Sequence, residues 1–216
     1  MDRREFFTKT KKRTPAFHRT VAAGLSPYAG NWTTNEVAHL LKRTMFGATK
    51  QDIDHFIPMS PAAAVDELLN NIPVTGTPLR DYGLIEDEFG VMHDDLGVVQ
   101  GQTWINDLNT MSDPEVRGSI NQLRTGSLLK WWTGLILNQN RSIMEKMVMF
   151  WHHHFSVQME EVGNATMLWR HHKIFRDNPL GSVKQLARDV TIDPAMLFHL
   201  NGYLNSKLAP DENYAR

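Results

Sequence analysis

What most constrains this chain is a succession of apolar stripes at helical spacing, each opened by a residue able to cap a helix. Thr33 and Thr34 precede Val37, Leu40, Leu41 and Met45, a run closed by Gly47, which suits the left-handed position after a helix. Thr49 is placed to cap residues 50–57. Ser60 precedes Pro61 at a first helical position, with Val65, Leu68, Leu69 and Ile72 following. Asp113-Pro114 opens a longer stripe through Val116, Ile120, Leu123, Leu128, Trp131 and Leu135, which reads as the central core helix. Ser142 and Glu145 have capping-box spacing ahead of Met147, Val148, Trp151 and Phe155. Asn164, Ser182 and Asp193-Pro194 open three further stripes, the last ending near Gly202. Alternating, strand-like runs of useful length do not occur, and neither do repeats. The pattern predicts an all-α, multi-helix globular domain.

One stretch breaks the pattern. From Pro73 to Met111 the sequence turns to proline, glycine and acids, with Asp81, Glu86, Asp87, Glu88, Asp94 and Asp95 set against a lone Arg80. At roughly 40 residues it exceeds the usual connection in a compact domain, so it reads as a long, acidic, mobile loop insertion. Its acids sit in adjacent clusters, which argues against a calcium loop with its alternating ligands. The expected organisation is a basic, disordered N-terminal arm over residues 1–32 and a helical domain over 33–216, with 73–111 as its mobile loop.

Composition narrows the chemistry. Lys plus Arg (23) nearly balances Asp plus Glu (24) in 216 residues, so no overall field attracts nucleic acid or an anionic membrane. With no Cys, thiol catalysis and disulfides are excluded. Arg3-Arg4-x-Phe6 resembles the core of a twin-arginine export signal, but the apolar region such a signal needs does not follow. That favours the cytoplasm slightly while leaving export open. The longest uncharged apolar stretch, Trp131 to Leu137, falls far short of a bilayer span. Nucleic-acid binding is disfavoured, because the basic arm has little aromatic interleaving and the rest of the chain is net acidic.

Glycine-rich phosphate loops, Gly-x-Ser-x-Gly and His-Glu-x-x-His are all missing, which leaves histidine as the candidate chemistry. At about 100° per residue, His152, His153 and His154 fall about 100°, 200° and 300° around from Trp151. His153 then faces water, while His152 and His154 flank the apolar face on opposite sides. Two such residues do not grip one metal from a regular helix. If the chain unwinds at Trp151, an extended His-x-His puts both rings on one side. His152 and His154 are thus candidate ligands for a divalent metal, with His171, His172, His199 and Asp193 available as third ligands, or else half-buried structural imidazoles.

Four segments in order carry a family resemblance: His39 to Thr49, Glu145 to Phe155, Pro179-Leu180-Gly181 with Asp193 to Leu197, and Asn205 to Arg216. Together they resemble the bacterial DUF1800 family, large helical proteins of unknown function. There the first block reads like His-Leu-Leu-Arg-Arg-x-x-Phe-Gly, the second like Met-x-x-Phe-Trp-His-x-His-Phe, and the last like Pro-Asn-Glu-Asn-Tyr-Ala-Arg. Asp211 stands where the family often has Asn, and Pro179 interrupts a common Ala-Leu-Gly-Asn-Phe stretch. The resemblance implies a helical region continuing past Arg216, so an N-terminal portion that contacts a missing C-terminal region is expected.

Two functions of different classes follow. One is a metal-assisted hydrolase with His152 and His154 as ligands and a polar cluster of Glu212, Asn213 and Arg216, in which Glu212 is the base and Arg216 an anion clamp. The other is a helical binding or assembly module with no chemistry of its own.

Overall fold

The structure is a computed structural model that describes residues 26–209 and Tyr214. Among these residues the elements are helices α1 (Thr34–Thr44), α2 (Lys50–Phe56) and α3 (Pro61–Asn70), strands β1 (Ile85–Glu86) and β2 (Met92–His93), then helices α4 (Pro114–Leu137), α5 (Met144–His154), α6 (Met159–Val162), α7 (Ala165–Asp177), α8 (Val183–Thr191) and α9 (Pro194–His199). A single 3-10 turn, Gly202–Leu204, follows α9. The fold is mainly α, as the stripes predict. The strands form one short antiparallel pair, with Ile85 opposite His93 and Glu86 opposite Met92. This hairpin was not foreseen, since two-residue strands are too short to show alternation.

Most predicted starts are where their caps put them. Thr33 and Thr49 form capping boxes with Glu36 and Asp52, and Ser60, Asn164, Ser182 and Asp193 each accept an amide hydrogen from the following turn. Asp113 does the same for α4, with Pro114 at its first position. Each such bond offsets an unsatisfied helix-end amide and stabilises the helix by about 1 kcal/mol.

Three expectations fail locally. Ser142 and Glu145 form no capping box: α5 starts one residue later than expected, Ile143 precedes it without a side-chain cap bond, and Ser142 Oγ accepts the Met144 amide instead. Glu145 is turned inward by a partner on another helix. Gly47 does not end α1 in the left-handed conformation; the helix closes at Met45, whose backbone is extended. The left-handed residue after α9 is Asn201 (φ 56°), while Gly202 begins the 3-10 turn.

Helices α1–α3 build one apolar cluster from Val37, Leu41, Met45, Phe56, Ala64 and Leu68. It is tied to the α4–α5 connection by Ile143 N–H on the Leu68 carbonyl (3.0 Å), Arg141 Nε on Asp52 (3.0 Å) and the Phe46 amide on Gln139 Oε1 (2.9 Å). A second cluster joins Tyr82, Val98 and Trp104 of the insertion to Leu128 of α4 and to Ala165, Leu168 and Trp169 of α7. The third packs Met144, Val148 and Trp151 of α5 against Phe175 of α7, Leu186 and Val190 of α8 and Met196 of α9. Helix α7 therefore lies between α4, α5 and α9, and its polar residues are the ones forced into the interior.

The insertion is built around α4. Arg124 of α4, with no exposed surface, donates from Nε and Nη2 to both carboxylate oxygens of Asp95 (2.9 and 2.6 Å) and from Nη1 to the Asp107 carbonyl (2.8 Å). Tyr82 Oη donates to Asp95 Oδ2 (2.6 Å), and Arg80 Nη1 donates to the Val98 carbonyl (2.6 Å). Gly97 (φ 91°) lets the chain turn between Asp95 and Val98, where a side chain would be both strained and set against Asp107.

Candidate functional site

Helix α5 stays regular through His154, which settles the geometry of the histidine run. Because successive positions diverge around a helix, His152 turns toward α4 and α7, while His153 and His154 remain exposed. The rings of His152 and His154 share no partner. His154 stacks on Phe150 (6.3 Å between centroids) and meets Phe155 edge-on (4.6 Å), whereas His152 lies against Trp132 (4.8 Å), His172 (5.1 Å) and Phe175 (4.7 Å).

His152 belongs instead to a polar seam between helices. Its Nε2 lies 3.0 Å from His172 Nδ1, and His172 Nε2 lies 3.4 Å from Arg176 Nη1. Arg176 in turn clamps Glu145 through Nη1 (3.1 Å) and Nη2 (2.5 Å), and Trp132 Nε1 donates to the same carboxylate (3.2 Å). Trp131 covers the Arg176 guanidinium at 5.2 Å and meets His172 edge-on at 5.5 Å, while Trp169 stacks on His172 at 6.0 Å. The spacing of α7 explains the arrangement: His172 and Arg176, four residues apart, share the face turned to α4 and α5.

Donor and acceptor roles along the seam are forced. Arginine only donates, so His172 Nε2 accepts and its hydrogen sits on Nδ1. That hydrogen is donated to His152 Nε2, leaving the His152 hydrogen on Nδ1. Both rings are held neutral. Burial, reinforced by the neighbouring His171 and His153, pushes His152 down to about 3. Burial, with His152 and Arg176 close by, pushes His172 well below the ordinary histidine range. In this state the His152 Nε2 lone pair is engaged and Nδ1 is protonated, so neither nitrogen is free to ligate.

The other expected ligands are dispersed. His171 Nδ1 is bound to Asp193 Oδ2 (2.9 Å) and its Nε2 to the Phe155 carbonyl (3.0 Å), and His199 pairs with Glu161 of α6. Among the described residues no group of three or more His, Cys, Asp or Glu side chains is arranged to hold a metal ion. Glu212, Asn213 and Arg216, the proposed base, amide and anion clamp, lie outside the described residues. Tyr214 is described: its ring fills the space above Gly202, where a Cβ would lie 2.6 Å from Tyr214 Cδ2, and its hydroxyl donates to the Thr191 carbonyl.

Glu145, Arg176 and Trp132 are the seam residues that pattern reading missed as site residues, and His172, expected only as an available third metal ligand, joins them. The available signal was a paradox: α7 places two histidines and an arginine on or beside its apolar stripe, and buried polar groups must find partners. The Arg124–Asp95 centre was missed for the same reason. There, Asp95 and Asp107 outweigh the cost of burial and hold the Arg124 guanidinium more firmly protonated than usual, while burial and the Asp95 charge raise the Tyr82 phenol.

Fold and site together define a helical domain stitched through its core by a carboxylate–arginine–histidine–histidine seam. The chain belongs to the DUF1800 family, whose description is "Protein of unknown function (DUF1800)", and the match covers residues 39–216. No curated protein and no solved structure matches it. Among the described residues no helix is long and apolar enough to cross a membrane.

Proposed function

We propose that this domain is a helical binding or assembly module in which the Trp-His-x-His-Phe motif fixes the packing of α4, α5 and α7. The observation that carries this reading over a metal-assisted hydrolase is the His152 Nε2–His172 Nδ1 bond, because it uses the lone pair a metal would need. Contact surface is available elsewhere. Leu84, Phe89, Val91, Met92, Leu96 and Val99 of the insertion are half or more exposed, on a frame anchored by buried arginines. Such a display of apolar side chains on an organised backbone suits recognition better than it suits solvation. A shallow cavity of about 440 Å³ opens in the same stretch, between Leu84 and Val99.

Zinc titration calorimetry of the wild type beside His152→Ala and His154→Ala tests the choice. The module reading expects no stoichiometric site that depends on both residues, with His154→Ala changing stability by less than ~0.5 kcal/mol as an exposed position. One zinc per chain, lost in both variants, would overturn it in favour of the hydrolase.

A further inference from the structure

Resting on the reading of this domain as a binding module, we propose that the insertion docks a basic, apolar segment of a partner protein. An aliphatic or aromatic side chain seats between Leu84, Leu96 and Val99, and a lysine or arginine enters the groove between the β1–β2 hairpin and the start of α4. The first position is the cavity of about 440 Å³, where those three side chains, each more than half exposed, stand around the buried Arg80. The second is a smaller cavity of about 170 Å³, lined by Glu86, Glu88 and Phe89 of the hairpin and by Asp113 and Glu115 at the start of α4. Leu84 lines the first and Ile85 the second, so a single peptide link, about 3.8 Å between Cα atoms, separates the two walls. A few extended residues of one peptide reach both.

Charge selects the occupant. Residues 73–111 carry seven acids and a single arginine, in a chain whose net charge is only -1. The inner acids have cations of their own: Asp95 and Asp107 share Arg124, Asp94 has Arg80, and Asp81 has Lys130. Glu86, Glu88 and Glu115 make no ion pair among the described residues. Position explains Asp113 and Glu115, since the first turn of a helix favours acids. It does not explain Glu86 and Glu88, which add like charge to the same groove with no local stabilisation to offset it. A cation entering the groove is attracted by all of these carboxylates, and the Phe89 ring, 82% exposed, offers it a cation–π face. Nucleic acid and anionic lipid are repelled by the same charges, which leaves a cationic protein segment. The adjoining apolar cavity requires that the segment carry an apolar side chain beside its charge.

The experiment is fluorescence anisotropy of labelled synthetic peptides titrated with the full 216-residue chain. Three probes of equal length alternate lysine with leucine, glutamate with leucine, and lysine with serine. The lysine–leucine peptide should bind saturably, at least about tenfold more tightly than the other two, and weaken about tenfold as the salt rises from about 0.05 to about 0.5 M. Leu96→Ser and the double variant Glu86→Lys with Glu88→Lys alter exposed positions, so the fold is kept, and each should weaken binding about fivefold or more. Asp66→Lys, the same charge reversal on an exposed position of α3, should leave binding unchanged. Binding that Asp66→Lys weakens as much as the insertion variants do, or that the insertion variants leave intact, overturns the site. Equal affinity for the glutamate–leucine peptide, or no binding of any probe, overturns the basic partner, and self-association of the chain that excludes the peptide gives this face to a second copy instead. None of these results touches the module reading itself, which fails on a zinc site lost in both His152→Ala and His154→Ala.

Discussion

The interior holds two bidentate arginine–carboxylate pairs that look alike and do different work. Arg124–Asp95 joins α4 to a stretch with almost no regular structure, whereas Arg176–Glu145 joins two helices that already have their own backbone bonds. In the insertion the ion pair takes the place of secondary structure: Arg124 also binds the Asp107 carbonyl, and Asp95 also receives Tyr82. In the helical seam the backbone is secure, and the arginine is free to orient something else, the neutral tautomers of His172 and His152. A buried pair of this kind is costly to desolvate, so what it contributes depends on what it organises.

The contrast can be broken most forcefully at Arg124. Arg124→Ala leaves Asp95 buried and uncompensated, which should cost ~3–5 kcal/mol in urea unfolding and raise hydrogen exchange at the amides of Arg80, Val98 and Gly101. Glu145→Gln keeps an acceptor for Arg176 and Trp132, so it should cost less and leave exchange in α5 and α7 near wild type. Equal losses in the two variants would mean that the pairs are equivalent after all.

Acidification sharpens the comparison from the other side. His152 and His172 are bases whose protonation is suppressed in the folded state, so the unfolded chain binds protons first. Stability should therefore fall as the pH drops from about 6.5 toward 3, with His152 alone costing ~2 kcal/mol at pH 5. Denaturant midpoints measured across that range should decline in the wild type and flatten in His152→Gln. A wild-type curve already flat between pH 6.5 and 4 would mean that the seam is not a neutral pair. A smaller effect belongs to Tyr82→Phe. Asp95 keeps both arginine bonds, so the loss should be about 1 kcal/mol by thermal or urea unfolding.

The histidine motif shows how far pattern reading reaches. Helical phase separates His152 from His154 and an extended run would bring them together; the regular helix through His154 decides for separation. Phase also names His171 as a residue on an apolar stripe. It does not say that His172, one position on, is just as buried, because burial on both sides of α7 follows from its place between α4 and α5. Glu145 is the instructive miss. Its spacing from Ser142 has a local solution, a capping box, and Arg176 and Trp132 offer a competing one that satisfies three donors at once.

What the sequence determined by itself was the set of helices other than the uncapped single turn α6, and most of their starts, because a cap at Thr33, Asp113 or Asn164 bonds an amide two or three residues away. Such bonds depend on backbone geometry that every helix shares, so residue type and spacing suffice. Only the tertiary structure decided which charges meet: Asp95 with Arg124 across 29 positions, Glu145 with Arg176 across 31, His152 with His172 across 20. Those pairings rest on which faces of α4, α5 and α7 are pressed together. Dry contact there turns acids, arginines and histidines that water would otherwise keep apart into obligatory partners.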